Sequence, residues 1–189
     1  MPTERPSRGR IPMREYFEMS LDDLREVAAW AAGFAERALA VYEERVPGDA
    51  RPRLALEGAK EFARGGGRTN ALRKLAMDAY RASREAVDGA ASEAANAASL
   101  AAALPFTHPF RDLRQAEHLL GPVVHAALAL EDGALAGKGE ALLDEAARAA
   151  GGTVAGLLRN FPRRGPGASR RDQAFHRLES DILGFAAGP

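Results

Sequence analysis

The stretch AASEAANAASLAAAL, which spans residues 90–104, decides the fold class of this chain. Alanine has the highest helix propensity of all residues, and the stretch contains no β-branched residue, so it predicts an α-helix. Its side chains are so small that neighbouring backbones can approach it closely, and we therefore expect this helix to lie at the centre of the fold. A polar stripe runs along it, which we interpret as a source of hydrogen bonds between helices: Ser92, Asn96 and Ser99.

The first predicted helix begins at the N-cap Ser20, extends to about Val46 and ends at Pro47-Gly48. Its apolar residues alternate three and four apart, which is the spacing of one helix face packed against a core. These residues are Leu24, Val27, Ala31, Phe34, Ala38 and Val41. The pattern therefore predicts that Phe34 is buried.

Caps and breakers delimit the other helices. One helix follows Asp49 and stops at residues 65–67, and the next begins at Thr69 or Asn70. Another begins at Pro109 and contains Gly121-Pro122, where the proline predicts a kink and the glycine should let a neighbouring helix approach. A further helix covers about residues 139–161 and is weakened by Gly151-Gly152. The last helix is capped by Ser169.

The domain organisation follows from these elements. Residues 20–186 are predicted to form an all-α fold, a single-domain antiparallel bundle of about seven helices joined by short connections. Residues 1–19 are predicted to form a basic, flexible N-terminal tail, in which Tyr16 and Phe17 could dock on the domain.

Composition excludes several classes of protein. Lysine plus arginine and aspartate plus glutamate number 26 each, so there is no global positive charge and nucleic acid is not the expected partner. The absence of cysteine excludes disulfides and thiolate metal sites. The apolar runs are short and interrupted by charges, so no membrane span is predicted. The Arg-rich start lacks the apolar segment of a secretory signal, and we expect a cytoplasmic protein.

Four polar residues around the helix predicted at Pro109 are candidate functional residues: His108, Arg111, Gln115 and His118. We expect His108 to be the N-cap of this helix, with Arg111, Gln115 and His118 following at positions i, i+4 and i+7 on one face. The favoured interpretation is a polar seam between helices, because buried polar groups usually satisfy one another. The alternative is a pocket for a small ligand or a metal ion.

A second candidate is an interaction loop at residues 162–168, which arginines flank on both sides: Arg163, Arg164, Arg170 and Arg171. These side chains are compatible with contact to phosphate groups and equally with an acidic protein surface. No aromatic residues interleave with them, so base stacking is not indicated.

Catalytic patterns are missing from the sequence. The segment Gly65-Gly66-Gly67-Arg68-Thr69 precedes a helix but lacks the lysine and the preceding strand of a phosphate-binding loop. No G-x-S-x-G elbow and no His-Glu-x-x-His pattern occurs. We therefore predict no catalytic residue, no cofactor and no metal ligand, and we favour a non-enzymatic protein.

Several segments resemble a family of bacterial immunity proteins of the immunity-five-like class. The first is LDDLREVAAWAA at residues 21–32, followed by AERAL at 35–39, PGDARPR at 47–53 and AKEFARG at 59–65. A second block comprises His108-Pro109, Gln115 and His118-Leu119-Leu120-Gly121. The resemblance covers residues 20–185, and the elements D-x-R-P-R and H-P…Q-x-x-H-x-x-G are its less generic parts.

This resemblance implies a small helical protein that neutralises a cognate toxin by direct binding. Some relatives resemble proteins labelled as exonuclease-like, but the ATPase motif and carboxylate clusters of such enzymes are missing here. The resemblance supplies no catalytic residues. Two alternatives stay open: a small-ligand or metal-binding protein or enzyme that uses His108, Gln115 and His118, and a nucleic-acid-associated protein that uses the loop from Arg163 to Arg171.

Overall fold

A computed structural model of the chain describes residues 15–131 and 135–186. Nine α-helices occur in these residues, together with a short 3-10 turn at Leu104–Phe106 that follows the fifth helix. The helices are α1 (Leu21–Glu36), α2 (Leu39–Arg45), α3 (Arg51–Ala63), α4 (Asn70–Glu85), α5 (Gly89–Ala103), α6 (Leu113–Ala129), α7 (Lys138–Ala149), α8 (Gly152–Leu158) and α9 (Arg170–Phe185). The described residues include no strand, so the predicted all-α class is confirmed. Within them no helix is long and apolar enough to cross a membrane.

The alanine-rich helix α5 lies at the centre, as predicted. It packs against α1, α2, α3, α4 and α6, and most of its alanines are fully buried. The Leu100 side chain of α5 packs over Gly121 of α6, where a Cβ would lie 2.6 Å from Cδ1 of Leu100 and would force this side chain to shift. The small side chains of α5 thus allow several helices to pack closely around it.

The number of helices differs from the prediction because two of the predicted helices are divided. The segment predicted as one helix over 20–46 turns at Arg37 and Ala38, and α2 then packs against α5 and buries Tyr42. No breaker residue marks this turn, so tertiary packing decides it. The segment predicted over 139–161 divides between α7 and α8 at Gly151, where the glycines already weaken the helix.

The predicted caps are confirmed at three helices. The Ser20 hydroxyl accepts from the backbone N–H of Asp23 in a capping box, and the hydroxyls of Thr69 and Ser169 accept from the backbone N–H groups of Leu72 and Asp172 at the starts of α4 and α9. The predicted burial of Phe34 is wrong. Its ring is half-buried and lies edge-on to Trp30, because the buried face of α1 is centred on other residues: Leu24, Val27, Ala28, Ala31, Ala32 and Ala35.

Residues 15–19, the described part of the predicted tail, are attached to the domain; residues 1–14 lie outside the described part. The backbone N–H of Phe17 donates to the carbonyl of Pro109 at 3.0 Å, and the Phe17 ring packs edge-on against Phe161, with 5.1 Å between centroids. The backbone N–H of Arg111 donates to the carbonyl of Glu15 at 3.2 Å. The expected docking of this segment is therefore confirmed.

Candidate functional site

The segment before α6 corrects two sequence predictions. The helix begins at Leu113 and not at Pro109, and its N-cap is Asp112, whose carboxylate accepts from the backbone N–H of Arg114. The reason is that residues 109–111 pair with residues 15–17 and are held outside the helix. The predicted N-cap, His108, is exposed, and its imidazole stacks on the Phe110 ring.

Arg111 therefore does not share a helix face with Gln115 and His118. Its guanidinium donates to the backbone carbonyl of Asn160 at 3.0 Å and pairs with Glu15 at 3.3 Å. These contacts attach the connection before α6 to the segment after α8 and to the start of the described chain. Arg111 thus holds together backbone segments at the surface.

Gln115 and His118 lie in the first two turns of α6 and are both half-buried. The side-chain carbonyl of Gln115 accepts from the backbone N–H of His108 at 2.8 Å. His118 has different surroundings, because it lines a cavity to which neither His108 nor Gln115 contributes. The four polar residues that the sequence suggested therefore do not form one seam. Gln115 fixes the backbone before α6, whereas His118 belongs to the wall of a cavity.

The four arginines of the predicted interaction loop also have separate surroundings. The Arg163 guanidinium pairs with the buried carboxylate of Glu179 at 3.1 Å. Arg164 forms ion pairs with Glu117 and Asp172, and its guanidinium lies over the Phe175 ring. These two arginines therefore anchor the loop to α6 and α9. Arg170 and Arg171 begin α9 and remain exposed.

The cavity that contains His118 lies between α4, α5, α6 and α9 and has a volume of about 490 Å³. We call it the histidine cavity. Each of the four helices contributes polar side chains to its wall, and three apolar or aromatic side chains complete it. Its lining residues are Tyr80, Arg84, Asn96, Ser99, Leu100, Arg114, Glu117, His118, His125, Arg171, Asp172 and Phe175.

His118 is the residue of this wall whose hydrogen bonding is incomplete. Its Nδ1 atom is buried and has no protein partner among the described residues. Burial lowers the pKa of the imidazole below its usual value, although the neighbouring Glu117 carboxylate opposes this effect. A buried nitrogen without a partner is unusual in a folded protein, because it forfeits a hydrogen bond to water.

The polar stripe of α5 forms hydrogen bonds with α4 beside this cavity. The Ser99 hydroxyl donates to the backbone carbonyl of Ala76 at 2.9 Å, and the Ser92 hydroxyl donates to that of Ser83 at 2.8 Å. Ser83 Oγ lies 2.9 Å from Oδ1 of Asn96. The predicted hydrogen bonds between helices from the polar stripe of α5 are therefore confirmed, and they fix α5 against α4.

His125 lies two turns after His118 on α6, and its ring is almost completely buried. Its Nδ1 forms a hydrogen bond with the carboxylate of Glu93 on α5. The Phe175 ring packs edge-on against the imidazole, at 6.3 Å between centroids. His125 is thus held in one orientation by α5 and α9.

The charged groups at the cavity are unequally paired. Both acidic residues of the lining, Glu117 and Asp172, form ion pairs with Arg164. In contrast, none of the three lining arginines, Arg84, Arg114 and Arg171, forms an ion pair with a carboxylate of the described residues. The cavity therefore carries an excess of positive charge, because three lining arginines face two carboxylates that already pair with Arg164.

The arrangement suits the binding of an anion better than catalysis or metal binding. Within the described residues, no group of three histidine or carboxylate side chains is placed to hold a metal ion. The sequence identified His118 and Arg171 as candidates, and its helical spacing places His125 on the same helix as His118. It did not identify Arg84 or Arg114, and no local signal could have brought Arg84 and Arg171 to α6, because they come from helices that are distant in sequence.

Comparison with known proteins assigns the chain to a family. No curated protein and no solved structure shows significant similarity to the chain. The family model described as "Imm-5 like putative immunity protein" matches residues 18–148, which is more than half of the chain and includes α1 to α6. The protein therefore belongs to the Imm-5 like family of immunity proteins.

Proposed function

We propose that this protein is a cytoplasmic, non-enzymatic immunity protein that neutralises a cognate toxin by binding it directly. The observation that carries the proposal is the family match over residues 18–148. The compact helical domain is compatible with stoichiometric binding, which needs a rigid surface and no catalytic group. Complete coverage of the toxin's active site or of another essential surface would block its action.

The exposed side of α4 is the surface that best fits such a contact. Four side chains lie three or four residues apart on one exposed stripe, which we call the α4 face: Arg73, Met77, Tyr80 and Arg84. Arginine, methionine and tyrosine are the residue types enriched in protein–protein interfaces. Met77 is 47% exposed and Tyr80 is 46% exposed, so two large apolar side chains are available to a partner.

The α4 face is also held rigidly, which lowers the entropic cost of binding. The Arg73 guanidinium lies 4.5 Å from the centroid of the Phe106 ring. Hydrogen bonds from Ser92 and Ser99 fix the helix to α5. A partner would therefore meet a surface whose backbone is already ordered.

The first experiment identifies the toxin by function. The protein is produced together with each protein encoded beside its gene, and the growth of the host is measured. We expect one neighbouring protein to stop growth when produced alone, and this protein to restore growth and to co-purify with it. If no neighbouring protein is toxic, or if growth is restored without a complex, direct neutralisation is wrong.

The second experiment locates the contact by calorimetry with the purified toxin. Tyr80→Ala should weaken binding at least about tenfold, as expected for an interface tyrosine that costs more than 1 kcal/mol when truncated. Phe185→Ala is the matched control, since this ring is 57% exposed at the end of α9. Equal affinities for both variants and the parent would exclude the α4 face without excluding neutralisation.

A further inference from the structure

We propose that the histidine cavity binds a small organic phosphate, with Arg84, Arg114, Arg171 and His118 as its ligands. This inference does not rest on the proposed function, although Tyr80 and Arg84 belong both to the cavity wall and to the α4 face. It rests on the charge, hydrogen bonding and volume of the cavity.

The charge of the cavity wall is the first argument. Three arginines line the cavity from α4, α6 and α9, and they outnumber the two lining carboxylates, which both form ion pairs with Arg164. Like charges around one cavity repel each other, and an anion between them relieves this repulsion. A guanidinium presents planar pairs of donors that match the oxygens of phosphate, so arginine is the usual residue of phosphate sites.

The unsatisfied atom of His118 is the second argument. Its Nδ1 is buried and has no protein partner, and a small rotation of the ring toward the cavity would let this atom donate a hydrogen bond to a phosphate oxygen. Burial lowers the pKa of the imidazole, and a neighbouring anion would oppose this effect by favouring the protonated form, which donates from both nitrogens. A phosphate would thus supply the hydrogen-bond partner that His118 lacks.

The volume and the apolar part of the wall favour a small molecule over a single side chain of a partner protein. The cavity of about 490 Å³ is within the usual range for small-ligand sites. A carboxylate carries one charge, whereas a phosphate monoester carries up to two charges and has three terminal oxygens to share among several donors. Tyr80, Leu100 and Phe175 offer apolar contacts to the esterified group.

Calorimetry with the full chain tests this directly, at constant ionic strength set by sodium chloride. The probes are inorganic phosphate and phenyl phosphate. We expect both to bind at one site, phenyl phosphate more tightly, and citrate to bind more weakly than phenyl phosphate. Absence of saturable binding by either phosphate, or tighter binding of citrate, would overturn the proposal.

Two adjacent arginines provide a matched pair of variants. Arg171 lines the histidine cavity, whereas Arg170 does not, and both are exposed in the first turn of α9. Arg171→Gln should weaken binding of phenyl phosphate about tenfold or more, since a hydrogen bond between charged groups is lost. Arg170→Gln should change it less than about twofold. Equal losses in both variants would indicate general attraction to positive charge and would contradict the site.

Nuclear magnetic resonance gives a readout that does not depend on affinity. The imidazole nitrogens of His118, assigned through a His118→Gln variant, should shift when phenyl phosphate is added. The nitrogens of the exposed His108 should stay unchanged. If His118 is unaffected while phosphate binds, the ligand lies elsewhere. If phosphate does not bind but Arg171→Gln abolishes toxin binding, the cavity receives an acidic side chain of the toxin and the proposal is wrong.

Discussion

The side-chain carbonyl of Gln115, in the first turn of α6, accepts a hydrogen bond from the backbone N–H of His108 at 2.8 Å. This contact fixes the connection before α6 across seven residues of chain. We expect Gln115→Ala to lower the free energy of unfolding by about 1 kcal/mol, which is the net contribution of one such hydrogen bond. Gln115→Glu keeps an acceptor at this position and should lose less. Urea denaturation measures both variants, and a stability of Gln115→Ala equal to that of the parent would contradict this role.

Gly139, in the first turn of α7, lies against the backbone of α6. A Cβ at this position would lie 2.2 Å from the backbone carbonyl oxygen of Ala127, so the helices would have to move apart. We expect Gly139→Ala to lower the free energy of unfolding by about 1–3 kcal/mol, as in overpacked cores. Gly33→Ala is the control, because Gly33 lies in α1 with no atom near such a Cβ. This control should be stabilised by about 0.5–1 kcal/mol through helix propensity. Thermal melts that rank the two variants in the opposite order would refute the close approach.

Phe34 and Phe62 differ in burial and should therefore differ in their effect on stability. Phe62 is 1% exposed in the core below α1, whereas Phe34 is half-buried at the surface beside Trp30. We expect Phe62→Ala to cost about 3–5 kcal/mol and Phe34→Ala about half as much, because less apolar area is lost from burial. Denaturant titrations of both variants test this ranking. Equal losses of stability would show that Phe34 belongs to the buried face of α1.

Asp49 connects α2 to α3 through two charged or polar partners. The Tyr42 hydroxyl donates to Oδ2 of Asp49 at 2.7 Å, and Nη2 of Arg51 donates to the same oxygen at 2.6 Å. The Arg51 guanidinium and the Tyr42 hydroxyl hold the pKa of Asp49 well below its usual range, against the opposing effect of burial. The ionised carboxylate is therefore favoured by folding.

This shift predicts a dependence of stability on pH. Because the pKa is lower in the folded state, the contribution of Asp49 is complete above its unfolded pKa of about 3.9 and is lost as the pH falls further. We expect Asp49→Asn to cost about 1–3 kcal/mol at pH 7, since hydrogen bonds to a charged group are lost, and this cost should shrink at pH 3. Asp22→Asn is the control, because Asp22 is 88% exposed and should change stability by less than about 0.5 kcal/mol. A cost for Asp49→Asn that is the same at both pH values would exclude the charged pair as its cause.

The polar residues around α6 show how far prediction from sequence extended at the site. The spacing of Gln115 and His118 correctly placed both on α6, because helical periodicity is a local property. It failed for His108 and Arg111, since residues 15–17 pair with the backbone of residues 109–111 and delay the start of the helix. Backbone pairing between segments about ninety residues apart does not change the local pattern of apolar and polar residues, so the sequence around residue 109 could not reveal it.

The helical class, the caps at Ser20, Thr69 and Ser169, and the central position of the alanine-rich helix α5 could all be predicted from local segments of the chain. Each of these follows from the side chains of one segment, because helix propensity and capping act over a few residues. The turn between α1 and α2, and the grouping of Arg84, His118 and Arg171 around one cavity, became visible only in the folded chain. These features depend on how whole helices pack against α5, and packing is set by contacts between segments that are far apart in the chain.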